Sequence, residues 1–221
     1  MSTRPKILCA AVAAAGWLAV GTAAAAPVTY TTFVVTDVSL GGRFFHNASV
    51  YLKFVGDTAD VQAFNVTASS GKSGSGWQIT KGTASVEIIS GRRVIRANFL
   101  PDQILVAFDS ENGGAGFSSL VGSDHHVEAG YPLGMTGTTI WSLPDLVTTG
   151  VWSGHAWSCI GYPPALRGTG RCGDPAAYPL HTDHGPFVIH MPYFATNAAG
   201  TIFDDFEGAL NDALFSVLVG P

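Results

Sequence analysis

The chain has 221 residues, 47% apolar and 12% charged, with a formal net charge of −5. This balance excludes a disordered chain, which combines low hydrophobicity with high charge, and a coiled coil, which draws about half its residues from Ala, Glu, Lys, Leu and Arg. It also excludes a general nucleic-acid binder, which needs a basic face to neutralise phosphates.

Residues 1–26 read as a secretory signal peptide. Arg4 and Lys6 give a positive start, the run from Ile7 is uncharged, and Ala23-Ala24-Ala25-Ala26 offers the small side chains that a signal peptidase requires. The 20 uncharged residues Ile7–Ala26 have the length of an anchor, but the run is mostly Ala and its Ala exit fits cleavage. No membrane span is expected after cleavage, and the destination is secreted or periplasmic. Residues 27–221 then form a single domain of a size one core can support. The leader leaves two cysteines, Cys159 and Cys172, in an oxidising compartment, where a disulfide between them is the default.

From 27 to 109 the chain predicts regular strands. Val50, Leu52 and Phe54 alternate with Ser49, Tyr51 and Lys53, the period of two of a strand with one buried face. Val28–Ser39 is rich in Thr, Val, Tyr and Phe, which favour strands. Further strands are expected at Val61–Thr67, Trp77–Thr80, Ala84–Ile89, Val94–Leu100 and Ile104–Phe108. The last is continuously apolar, as a strand covered on both faces would be. Gly41-Gly42, Gly56-Asp57, the Ser69–Gly76 stretch, Ser90-Gly91 and Pro101-Asp102 punctuate them as turns. Tight turns between short strands imply antiparallel pairing.

From 110 to 200 the pattern loosens into a loop-rich region crowded with Gly, Pro, His and aromatic residues. Leu143–Trp152 and Phe187–Tyr193 are expected strands there. Asn112-Gly113 after a strand signals a hairpin turn; the flanking acids do not complete an EF-hand loop. Residues 201–221 predict a short helix around Asp204–Asn211 and a closing strand at Leu214–Val219. Charge divides with the texture. Residues 27–97 hold seven basic and four acidic residues, and residues 98–221 hold two basic and twelve acidic ones.

Three features bear on chemistry. Leu180-His181-Thr182-Asp183-His184-Gly185 places three metal-ligand types within four residues, and His190 follows six later. Imidazole and carboxylate suit zinc or copper, and a turn at Gly185-Pro186 would bring His190 back to them. The segment resembles a degraded His-x-His-x-Asp-His motif of metallo-β-lactamase-like hydrolases, with Pro179 in place of the first His. The missing ligand, and the 37 residues left before the C-terminus, leave too little chain for that family's later ligands, so no function follows from the resemblance. His125 and His126 would complete a shell only if their loop converges on this one. The aromatics Trp141, Trp152, Trp157 and Tyr162 offer surfaces on which a sugar ring would stack, or else they fill the core beneath long loops. Nucleophilic catalysis has no support, since no Gly-x-Ser-x-Gly elbow occurs. Gly71-Lys72-Ser73 is no phosphate loop, because Val66 stands where that motif needs Gly.

The expectation is an all-β protein, an antiparallel β-sandwich of eight to ten strands, with a jelly roll or barrel as the alternative. Its expected role is a non-enzymatic exported binding or structural module without a cofactor, contacting a glycan or a cell-surface or extracellular protein. The second reading is a metal-binding protein or metal-dependent hydrolase using the cluster around 181–190.

Overall fold

A computed structural model describes residues 25–67, 73–110, 114–119, 136–139, 143–158, 180–190 and 212–221. The leader up to residue 24, the expected helix at Asp204–Asn211, both cysteines and thus the disulfide lie outside these residues. The described residues form thirteen strands in one antiparallel sheet. In chain order these are β1 (Pro27–Leu40), β2 (Arg43–Asp57), β3 (Gln62–Thr67), β4 (Ser73–Ile79), β5 (Gly82–Ser90), β6 (Arg93–Asn98), β7 (Ile104–Asp109), β8 (Gly114–Ser119), β9 (Thr136–Thr139), β10 (Gly150–Ser158), β11 (Leu180–Thr182), β12 (Gly185–His190) and β13 (Asp212–Val219). The all-β, antiparallel expectation holds.

β1 organises the sheet. Its even-numbered residues from Val28 to Leu40 are all buried, the strict alternation of a strand with one face on the core. One edge pairs along its length with β2. The other edge is shared: β13 takes Val28–Val34 and β12 takes Asp37–Leu40. From this fork the sheet runs two ways. On one side β13 leads through β10, β9, β8, β7 and β4 to β3. On the other, β2, β5 and β6 curl into a half-barrel, and β11 meets the end of β6. There the Leu100 N–H donates to the His181 carbonyl at 3.0 Å and the Asp183 N–H to the Asn98 carbonyl at 2.9 Å. Backbone hydrogen bonds thus lead from β1 through β2, β5, β6, β11 and β12 back to β1.

Two glycines make close approaches possible. Gly41 has φ +57 and sits against the backbone carbonyl of His184, where a Cβ would overlap that oxygen. Its N–H donates to the Pro186 carbonyl at 2.9 Å. The tip of the β1–β2 hairpin therefore locks onto the tip of β11–β12. Gly76 pairs with Phe64, whose ring occupies the space a side chain would need. An aromatic neighbour that covers a strand glycine is a known way of stabilising it. It explains why β4 begins at Ser73, inside the glycine–serine run expected to be loop.

One core joins both sides of the sheet, with Tyr30, Phe54, Phe108, Phe187 and Phe215 fully buried. Ile104–Phe108 is buried at every position, as its unbroken apolar sequence implies. β7 and β8 pair antiparallel, with Asp109 opposite Gly114; the turn expected at Asn112-Gly113 lies outside the described residues.

The second half is more regular than expected, because β8 to β12 fall within it. The strand expected at Leu143–Trp152 begins only at Gly150. Before it, Asp145 Oδ1 accepts the N–H groups of Val147 and Thr148 at 2.8 and 2.7 Å, an Asx turn that competes with extended structure. Leu143 and Leu146 are buried from this turn, so their apolar character reflects a core plug and not a strand.

Candidate functional site

The outward face of the half-barrel carries the odd-numbered positions of β1, β2 and β5. Cross-strand register sets Thr31, Lys53, Ser85 and Asn98 side by side, with Thr29, Val55 and Thr83 in the next row. Beyond Asn98 the chain turns at Pro101-Asp102, as the sequence implies. Asp102 adopts φ +56, a conformation that Asp tolerates better than most residues. This turn stands beside the two rows and closes a cleft of about 450 Å³. Lys53, Thr83, Ser85, Asn98, Asp102 and Gln103 supply its polar groups. Val55 and Leu100 supply exposed apolar surface, at 37% and 43% exposure.

Asn98 is held in place from the far side. Its backbone N–H donates to Asp183 Oδ1 and its Nδ2 to Asp183 Oδ2, both at 3.0 Å. The backbone donor is the main reason the Asp183 carboxyl titrates below its usual range; the Asn98 amide and the nearby His184 act in the same direction. Asp183 is thus a clamp at the back of the cleft.

The predicted metal cluster takes a different shape. Leu180–Thr182 and Gly185–His190 are two strands of a hairpin, with His181 opposite Pro186 and Thr182 opposite Gly185. The turn falls at Asp183-His184, not at Gly185-Pro186. Thr182 Oγ1 builds it, accepting the His184 N–H at 3.1 Å and donating to the Gly185 carbonyl at 2.7 Å. His190 therefore lies at the far end of β12, six residues and about 20 Å of strand from His184. It is paired with Asp37 on β1. His181, Asp183 and His184 are exposed, with Asp183 engaged by Asn98. His125 and His126 lie outside the described residues. Among the described residues no group of three metal-ligand side chains forms a cluster.

Of the aromatic candidates, Trp152 is half-buried and packs against the core. Trp157 occupies the same strand, with its backbone opposite Gly137. Trp141 and Tyr162 lie outside the described residues. The polar row Lys53–Ser85–Asn98 was missed in the sequence, because only register joins positions so far apart. The one available signal was the alternation of β2, which places Lys53 on the solvent face.

Among the described residues no helix is long and apolar enough to cross a membrane. No family model, curated protein or solved structure matches the chain.

Proposed function

We propose that the chain is an exported, non-enzymatic binding module of β-sandwich type, and that it holds a hydroxyl-rich ligand, in the first instance a glycan, in the cleft bounded by β2, β5 and the Pro101-Asp102 turn. The observation that carries this reading is the cleft's lining. Amides, hydroxyls, one ammonium and one carboxylate surround a small apolar floor, and among the described residues no imidazole or thiol lines it. Such a surface exchanges hydrogen bonds with a neutral polar ligand and offers an apolar patch to its C–H face.

A leader removed on export and a periplasmic or extracellular destination belong to the same reading, as does a surface glycan or extracellular protein as partner. The aromatic residues of the second half are not needed for it, since Trp152 is committed to the core.

The test is an NMR titration of the purified protein with a panel of neutral and acidic oligosaccharides. The expected result is saturable shifts at the Val55 and Leu100 methyl groups and at the Asn98 and Gln103 amides, lost in Lys53→Ala and Gln103→Ala. Saturable shifts confined to another surface, or no response to any sugar, overturn the reading.

A further inference from the structure

The pairing of β1 with β2 reaches one residue beyond the strands themselves. Pro27 stands opposite Asp57, and Ala26 then meets Thr58. The Ala26 N–H donates to Thr58 Oγ1 at 3.1 Å, and the Thr58 N–H donates to the Ala26 carbonyl at 2.9 Å. Thr58 opens the short 3₁₀ turn Thr58–Asp60, where its own carbonyl accepts the Val61 N–H. Its hydroxyl takes the place of that engaged carbonyl. Ala26 is half-buried in this clasp, whereas Ala25 is exposed.

Pro27 cannot stand in for Ala26. It has no N–H to donate, and its carbonyl faces the other edge, where it accepts the Gly220 N–H at 2.7 Å. A chain starting at Pro27 would deprive Thr58 of both partners. The fold therefore starts at Ala26.

The tetrad Ala23-Ala24-Ala25-Ala26 contains Ala-x-Ala, the small-residue cleavage pattern, in two registers. Ala24-x-Ala26 would direct cleavage to the bond before Pro27, and Ala23-x-Ala25 to the bond before Ala26. The two bonds differ chemically. The Pro27 ring crowds the N–H and Cβ of Ala26, the residue whose carbonyl would be attacked in the first register. The prolyl nitrogen also lacks the N–H through which an extended substrate pairs with a peptidase groove. The bond between Ala25 and Ala26 has neither handicap.

We propose that the leader is removed by hydrolysis of the Ala25–Ala26 bond, so that the exported chain starts at Ala26. This rests on the proposed export and assigns its processing site, one residue short of the end of the alanine run. Water adds across the bond. Its oxygen joins the Ala25 carbonyl carbon, which leaves with the leader as a carboxylate. The Ala26 nitrogen departs as an amine and is protonated. The catalyst is the signal peptidase of the exporting cell. The new ammonium still has a proton for Thr58 Oγ1, and the Ala26 carbonyl still accepts the Thr58 N–H. Scission here spares both hydrogen bonds, and scission one bond later removes both.

The test is expression of the full chain with its leader in an exporting bacterial host, then N-terminal sequencing and intact-mass measurement of the released protein. The expected start is Ala26-Pro27-Val28-Thr29. A released chain starting at Pro27, or at any residue other than Ala26, overturns this inference and leaves the export reading standing. A chain that keeps its leader overturns both. Ala25→Arg puts a long charged side chain where a small one is required and leaves Ala24-x-Ala26 intact. This variant should accumulate as uncleaved precursor; its release at the unaltered protein's rate overturns the proposal. In the released unaltered protein, the Thr58 amide should exchange about tenfold or more slower than in an unstructured chain. Exchange at the unstructured rate would remove Ala26 from the fold and overturn the proposal with it.

Discussion

The hydroxyl of Tyr30 donates a hydrogen bond of 2.8 Å to the backbone carbonyl of Leu146, 116 residues away. Both residues are fully buried. Tyr30 stands on β1 with its ring between Phe54 and Phe215, and Leu146 stands in the Asx turn preceding β10. The bond thus ties an irregular segment to the central strand. Tyr30→Phe keeps the ring and leaves the Leu146 carbonyl without this donor. Stranding a buried acceptor costs about 1–3 kcal/mol. The urea midpoint should fall accordingly at an unchanged slope. An unchanged midpoint would mean that the segment is held by its leucines alone.

The same hydroxyl governs stability in alkali. Burial, with a smaller contribution from the nearby Asp145 carboxylate, pushes the Tyr30 pKa well above its ordinary value of 10. The folded pKa is the higher one, so this contribution is complete below pH 10. It is lost as pH rises beyond that, where the unfolded chain ionises and the folded one does not. The loss has a limiting slope of about 1.4 kcal/mol per pH unit. Stability measured from pH 8 to 11 should fall less steeply in Tyr30→Phe than in the unaltered protein. Parallel curves would show that Tyr30 ionises freely in the fold.

Thr32 is the opposite case. It lies on β1 between Phe215 and Leu52, is wholly buried, and its Oγ1 has no hydrogen-bond partner among the described residues. Thr32→Val keeps the β-branched shape that suits a strand and removes a hydroxyl that lost its water on folding. A gain of about 1 kcal/mol or more is expected, read as a higher urea midpoint. A loss of stability would show that the hydroxyl is satisfied.

These positions also mark how far the sequence can be read. β1, β2 and β5 were legible because large apolar side chains alternate with polar ones, and that pattern follows directly from one face being buried. β8 and β9 were not. Gly114, Gly116, Ser118 and the Gly and Thr residues of 136–139 carry no such alternation, and the strands are defined by their backbone partners. Leu143 and Leu146 misled for the converse reason, since burial alone does not distinguish a strand from a turn pressed into the core. The placing of Asp37 between the bulge of β2 and the end of β12 was unreadable in principle. It depends on one extra residue in β2 and on which edge of β1 receives β12, both properties of register. The local cluster at 181–184 was conspicuous because its residues are adjacent in sequence, yet a two-residue turn spends Asp183 on Asn98.

That engagement makes Asp183 a pH-dependent fastener of the half-barrel. Its carboxylate accepts two hydrogen bonds from Asn98, and the backbone on either side carries the two β6–β11 hydrogen bonds that return the sheet to β1. Its folded pKa is depressed below the ordinary 3.8. The stabilisation is therefore complete above that value and is lost as pH falls through the lower, folded pKa. Once protonated, the carboxyl is a poorer acceptor and no longer attracts His184. Amide exchange at Leu100 and Asp183 should accelerate on acidification beyond what intrinsic chemistry predicts, while exchange within the β1–β2 ladder keeps its protection. Asp183→Ala should produce the same selective loss at neutral pH. It should also weaken any ligand held in the cleft, because Asn98 would no longer be positioned. Equal protection at these two amides in both proteins would show instead that the β11–β12 hairpin is held by the lock between Gly41 and His184.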